Sequence, residues 1–190
     1  MGVLEMNQNT FYAVRQARAW LEQSPLFLDT ETTGLSSTDG IIDLALIDHD
    51  NTALIETLIR PTAPISQIAS EIHHIRDEDV IDAPSFGEVL INLTKLTKGR
   101  LVLIYNATFD LRMLRQSATA HRARLPYINA GCVMRLYTEF HGKKTALGEA
   151  SLNFGVVGCD LHRAAVDARL CREIVLAVAA TQLPGEKPTK

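Results

Sequence analysis

The stretch Leu26-Phe27-Leu28-Asp29-Thr30-Glu31-Thr32-Thr33-Gly34-Leu35 ends an apolar run in two carboxylates one residue apart. Such a run reads as a buried strand, and strand side chains alternate with period two, so Asp29 and Glu31 project from the same face. Two acids side by side at the end of a buried strand repel, which costs free energy unless a cation neutralises them. Oxygen ligands on so short a pitch suit a hard divalent ion, Mg²⁺ or Mn²⁺. Within this decapeptide alone an alternative stays open. That alternative is a strand ending in a polar turn, because Thr32-Thr33-Gly34 is ordinary turn chemistry.

Two further stretches bear on the choice. Leu101-Val102-Leu103-Ile104-Tyr105 reads as a second buried strand, running into Asn106-Ala107-Thr108-Phe109-Asp110 at a helix start and bringing a third acid to the end of an element. His162-Arg163-Ala164-Ala165-Val166-Asp167-Ala168 opens a later helix. Helical spacing lets His162, just ahead of it, and Asp167, on its first turns, face one site.

Taken in order, Asp29/Glu31, Asn106/Phe109/Asp110 and His162/Asp167 resemble the signatures of the DnaQ-like 3′ to 5′ exonucleases of the DEDDh type. No single motif is specific, but the ordered set on strand, strand-to-helix junction and helix is. The resemblance covers about residues 25–183 and departs at no catalytic position. It implies a ribonuclease H-like α/β fold, a mixed five-stranded sheet flanked by helices, in which four carboxylates converge. Asp29, Glu31, Asp110 and Asp167 would hold two divalent ions, and His162 would take the proton of the attacking water. Leu35 and Phe109 would sandwich the terminal base, and backbone groups at Thr32, Thr33 and Gly34 would bind the 3′ hydroxyl. Asn106, and His73 in the sequence Ile72-His73-His74-Ile75, match further substrate-contact positions. Bland readings remain beside these: His73 as a structural histidine, Phe109 as plain core, His162 as a surface loop residue.

The implied reaction releases nucleoside 5′-monophosphates from the 3′ end of single-stranded DNA, as in enzymes of the exonuclease X and proofreading-subunit kind. An exoribonuclease of the oligoribonuclease or ribonuclease T type is the alternative, and a nucleic-acid-binding module without catalysis is a third reading. A second copy of the chain or a polymerase is left open as a partner.

The 190 residues fit one domain with a sizeable core. A net charge of −3 argues against a protein that coats long duplexes through a broad basic surface. Contact with phosphates must then be local. Arg112, Arg115, Arg122 and Arg124, or Lys143 and Lys144, are either such contacts or solvated faces. No apolar run of about twenty residues suggests a membrane span, and no signal-peptide pattern opens the chain, so a cytoplasmic location is expected. Cys132, Cys159 and Cys171 are odd in number and form no Cys-x-x-Cys pair, which suggests buried small hydrophobes rather than a disulfide framework or zinc site.

Periodicity predicts a helix over 10–23, an N-terminal extension spanning 1–24, then antiparallel strands over 41–48 and 52–60. Helices are expected over 65–75, 84–96, 109–123, 133–140, 145–154 and 164–181, with strands at 101–105 and 127–129 and a frayed, disordered tail over 184–190. Three strands followed by helices alternating with strands argue a mixed sheet covered by helices.

Overall fold

A computed structural model describes residues 7–157 and 162–186. One mixed sheet contains β1 (Leu26–Thr32), β2 (Ile41–Ile47), β3 (Ala53–Leu58), β4 (Leu101–Ile104) and β5 (Asn129–Cys132), in the order β3-β2-β1-β4-β5. β1, β2 and β3 form an antiparallel meander, whereas β4 pairs parallel to β1 and β5 parallel to β4. The expected five-stranded mixed sheet is the one observed.

Alternation along β1 assigns the two faces. Phe27 joins α1 (Gln8–Leu21), α6 (Val133–His141), α7 (Leu147–Leu152) and α8 (Ala164–Ala180) in one core. Leu26 and Leu28 join α4 (Phe86–Thr97) and α5 (Ala107–Ala120) in the other. Period two therefore carries Asp29 and Glu31 onto the α8 side and Thr30 onto the α5 side. Two shorter helices, α2 (Gln67–His73) and α3 (Asp77–Val80), lie between β3 and α4. Among the described residues no helix is long and apolar enough to cross a membrane.

Several boundaries differ from expectation for local reasons. α1 starts at Gln8 because the Asn7 side chain accepts from Thr10 N at 2.8 Å, and the chain leaves the helix where Ser24 adopts φ 48°. β5 lies at 129–132 rather than 127–129, and Tyr127 is exposed. Asn-Ala-Gly-Cys has no strand-like composition; its place rests on the ladder with β4 and on Gly131, where a Cβ would lie 2.6 Å from Leu103 Cδ2. α3 was not anticipated. Of the tail expected to fray, the stretch to Glu186 is held: Arg18 pairs with Glu186 and donates to Ala179 O and Thr181 O, each at 2.9 Å. Residues 187–190 lie outside the described residues, as does Cys159. Cys171 is buried and Cys132 half-buried, and neither is paired among the described residues.

Candidate active site

Asp29 and Glu31 sit at the C-terminal end of β1, where it stands between β2 and β4. The antiparallel register sets Asp29 opposite Ala45 and Glu31 opposite Asp43. Asp43 is 3% exposed, and its Oδ2 accepts from Arg163 Nε at 3.0 Å and from Ala164 N at 3.3 Å. It thereby anchors the segment that opens α8. Sequence reading missed this acid: its strand is buried along its whole length and reads as an apolar run, and nothing local points its carboxylate at Glu31.

Asp110 lies on the first turn of α5, buried, with Oδ1 accepting from Thr30 Oγ1 at 2.8 Å. His162 occupies the left-handed region at φ 70°, two residues before α8, and Asp167 lies on the first turn of that helix. These placements bring Glu31, His162 and Asp167 together: each offers a ligand atom, and those atoms all lie within 4.8 Å of one another.

The electrostatics follow from crowding acids in a half-dry site. Burial, then the charges of Asp110, Asp167, Glu31 and Asp43, hold Asp29 well above the ordinary carboxylate range. Glu31 is pushed up to about 8, by burial first and then by Asp167, Asp43 and Asp110, with Arg163 opposing. Burial raises Asp110 to about 7 against the Thr30 hydrogen bond. Burial likewise raises Asp167 against the neighbouring His162. Asp167 Oδ1 is buried without a hydrogen-bond partner among the described residues. An orphaned carboxylate oxygen facing further acids and one imidazole suits a hard divalent cation, which would relieve both the repulsion and the missing partner. The residues present fit such an ion.

Beside the acids lies a cavity of about 390 Å³ lined by Glu31, Leu35, Ile68, Ile72, His73 and Phe109, among others. Its rim is apolar and open to solvent, with Leu35 at 75%, Ile68 at 73% and Ile72 at 47% exposure. Ile68 and Ile72 were not singled out from the sequence. Their spacing of four along α2 is the mark of one helix face, but it reads equally well as a core-facing stripe. Phe109 is half-buried, packing on the α5-side core while also lining the cavity, so the core and base-contact readings share one ring.

His73 is buried, and both of its ring nitrogens are committed. Nδ1 accepts from Ile75 N at 3.1 Å, so Nε2 carries the proton and donates to Thr32 O at 3.3 Å. Burial keeps the ring below its ordinary pKa, against the Thr32 hydrogen bond. It therefore shapes the cavity wall rather than offering a free polar atom. The Thr33 backbone is also engaged within the protein: its N–H donates to Gly40 O and its C=O accepts from Ser66 N, each at 2.9 Å. That commits its N–H, while its carbonyl oxygen keeps a second lone pair that can accept from a hydroxyl. Thr32 and Gly34 line the cavity, and Asn106 is the N-cap residue of α5 with no capping hydrogen bond from its side chain. Arg112 lies with its guanidinium 5.3 Å from the centre of the Phe109 ring.

The Exonuclease family model (RNase_T) matches residues 26–175. The uncharacterized exonuclease CP81 of Escherichia phage 186 is 34% identical over 180 residues, which is 87% of this chain and 93% of that protein. DNA polymerase III subunit epsilon of Treponema pallidum (strain Nichols) is 30% identical over 163 residues, 80% of this chain and 74% of that one. The solved structure of exonuclease X in complex with 5′ overhanging duplex DNA superposes with a TM-score of 0.64 at 26% identity, covering 80% of this chain and 89% of the other. The span matched by the family model contains Asp29, Glu31, Asp110, His162 and Asp167.

Proposed function

Since the chain belongs to the DnaQ-like 3′ to 5′ exonucleases of the DEDDh type, with their ribonuclease H-like fold, we propose that it removes nucleoside 5′-monophosphates from the 3′ end of single-stranded DNA. The observation that carries the reading is the meeting of Glu31, His162 and Asp167 within 4.8 Å beside an apolar-rimmed cavity.

Asp29, Glu31, Asp110 and Asp167 would hold two divalent ions, Mg²⁺ or Mn²⁺. When bound, such ions polarise a water and the scissile phosphate and offset the charge on the leaving 3′ oxygen. A ring nitrogen of His162, exposed and next to Glu31 and Asp167, accepts the proton of the attacking water. Water adds at phosphorus, the bond to the 3′ oxygen breaks, and that oxygen is reprotonated from solvent. Leu35, Ile68, Ile72 and Phe109 hold the terminal base by stacking and apolar contact, which only an unpaired base can reach. Thr30 fixes the Asp110 carboxylate, and Asp43 holds the start of α8 so that His162 and Asp167 face Glu31. All of these groups come from one chain.

The test is release of mononucleotides from 3′-labelled and 5′-labelled single-stranded DNA and RNA, in Mg²⁺ or Mn²⁺ and in EDTA, by wild type and Asp29→Ala. Metal-dependent shortening from the 3′ end, faster on DNA and abolished by the substitution, is expected. Faster cleavage of RNA would transfer the reading to an exoribonuclease. Shortening of neither polymer by folded, metal-supplied protein would remove the catalytic reading.

A further inference from the structure

The loop between β1 and β2 borders two cavities. Gly34 and Leu35 line the one beside the acids, whereas residues 37–40 line a second, of about 520 Å³, together with Arg112, Arg115, Gln116 and His121 from α5 and its end. Arg112 links the two. It lies over the Phe109 ring at 5.3 Å and its Nη1 donates to Leu35 O at 3.4 Å, so one guanidinium touches the rim of the base cavity while lining its neighbour.

The wall is built rather than loose. Gln116 Nε2 donates to Ser36 O at 3.0 Å and to Asp39 O, and Ile41 N donates to Ser117 Oγ at 3.0 Å, which ties the loop to α5. Asp39, an acid in the lining, has both oxygens engaged, by Thr33 Oγ1 at 2.8 Å and by Ser36 N at 2.6 Å. Arg112 and Arg115 have no carboxylate partner within ion-pair distance among the described residues. His121 gives its Nδ1 proton to Ser117 O at 2.9 Å, which leaves Nε2 outside that bond. The other basic residues sit elsewhere: Arg122 and Arg124 are exposed and line neither cavity, and Lys143 pairs with Glu149 at 3.6 Å.

We infer that this second cavity binds a backbone phosphate of the substrate strand upstream of the terminal nucleotide. At a concavity that adjoins the base site, Arg115 offers a guanidinium with no side-chain partner among the described residues, and Arg112, held by Leu35 O and Phe109 and close enough to Asp39 to lower that acid, adds a second positive charge; together they supply the planar donors that phosphate accepts. A protein of net charge −3 needs such a local foothold on a polyanion. Contacts of this kind position a strand without reading its sequence. The inference rests on the exonuclease reading above, but it concerns grip on a chain rather than hydrolysis of its last bond.

The test compares wild type, Arg115→Gln and, as a charge control, Arg124→Gln on two probes. One is the p-nitrophenyl ester of thymidine 5′-monophosphate, which offers only a terminal nucleotide; the other is a long oligothymidylate. Arg115→Gln is expected to raise KM for the oligomer about tenfold and to lower the salt dependence of its kcat/KM by about 0.7 in log–log slope, the share of one phosphate contact on a single strand. Ester hydrolysis should be unchanged, and Arg124→Gln should match wild type on both probes. Equal weakening by the two arginine substitutions, equal loss on both probes, or an unchanged oligomer KM would overturn the inference. Binding of the labelled oligomer is measured in parallel in an Asp167→Asn background in EDTA, where degradation is suppressed, so Arg115 is tested even if wild type hydrolyses neither probe. In that event the exonuclease reading fails while the phosphate site stands or falls on the affinity alone.

Discussion

Glu31 on β1 and Asp43 on β2 are direct cross-strand partners in the antiparallel ladder, carboxylate against carboxylate. Like charges in that position destabilise a sheet, so each needs a compensating cation. Asp43 has Arg163; Glu31 faces His162 and Asp167, feels Arg163 only at longer range, and among the described residues has no Lys or Arg within ion-pair distance. Removing Asp43 therefore does two opposed things. Asp43→Asn loses the Arg163 ion pair, whose guanidinium side is 49% exposed and so contributes modestly, and it relieves repulsion on Glu31. Thermal stability is expected to change by no more than a few degrees. The start of α8 loses its anchor, so kcat should fall about tenfold, or about 1.4 kcal/mol in the barrier, with KM nearly constant. Steady-state kinetics beside a melting curve checks this; full activity in the variant would show that Asp43 does not position His162.

The acids make metal-free stability depend on pH in an unusual direction. Glu31 titrates near 8 when folded against an ordinary 4.5, and Asp110 near 7 against 3.8. In both cases the folded state binds more protons than the unfolded one between the two values. Stability is therefore fully present below about pH 4 and is lost as pH rises through the folded values. In EDTA, Tm should fall from about pH 5 to about pH 8.5, and Mg²⁺ or Mn²⁺ should restore it most strongly at the alkaline end. A Tm that rises with pH in EDTA would contradict the crowded-acid description.

Asp167→Asn separates metal binding from folding. The substitution removes a buried charge with an unpartnered oxygen, so Tm in EDTA should stay level or rise. The rise in Tm on adding Mn²⁺ should shrink, and activity should fall at least about a hundredfold, the upper end of what even outer partners of metal ligands cost. Melting curves with and without metal, and rates at saturating substrate, decide it.

The apolar rim of the base cavity is open to a gentler test. Ile72 is 47% exposed and lines that cavity, so Ile72→Ser sacrifices little core. KM for both the nucleotide ester and the oligomer should rise several-fold with Tm unchanged, since less apolar surface meets the base. An unchanged KM would take α2 out of substrate binding.

Gly131 tests the sheet behind the site. A methyl group there would sit 2.6 Å from Leu103 Cδ2 and 2.9 Å from Trp20 Cζ2. Gly131→Ala should cost about 1–3 kcal/mol in urea unfolding through overpacking, read conveniently from the fluorescence of the single tryptophan. No loss would mean that β4 and α1 give way at no cost.

What could be read along the chain were the features carried by neighbours in sequence. Alternation along β1 put Asp29 and Glu31 on one face, and the capped starts of helices set α4 near its expected place. The ordered motifs named the family and the acid set. What could not be read depended on which distant residues meet. The charge of Asp43 gains its importance from strand register, β5 exists because β4 pairs with it, and both ring nitrogens of His73 and the N–H of Thr33 are engaged by hydrogen bonds formed only on folding. Local pattern determined most of the elements and the chemistry they carry, β5 and α3 apart. Tertiary structure decided which groups are spent inside the protein and which are left for a ligand, because hydrogen-bond satisfaction and charge repulsion are settled between residues far apart in the chain.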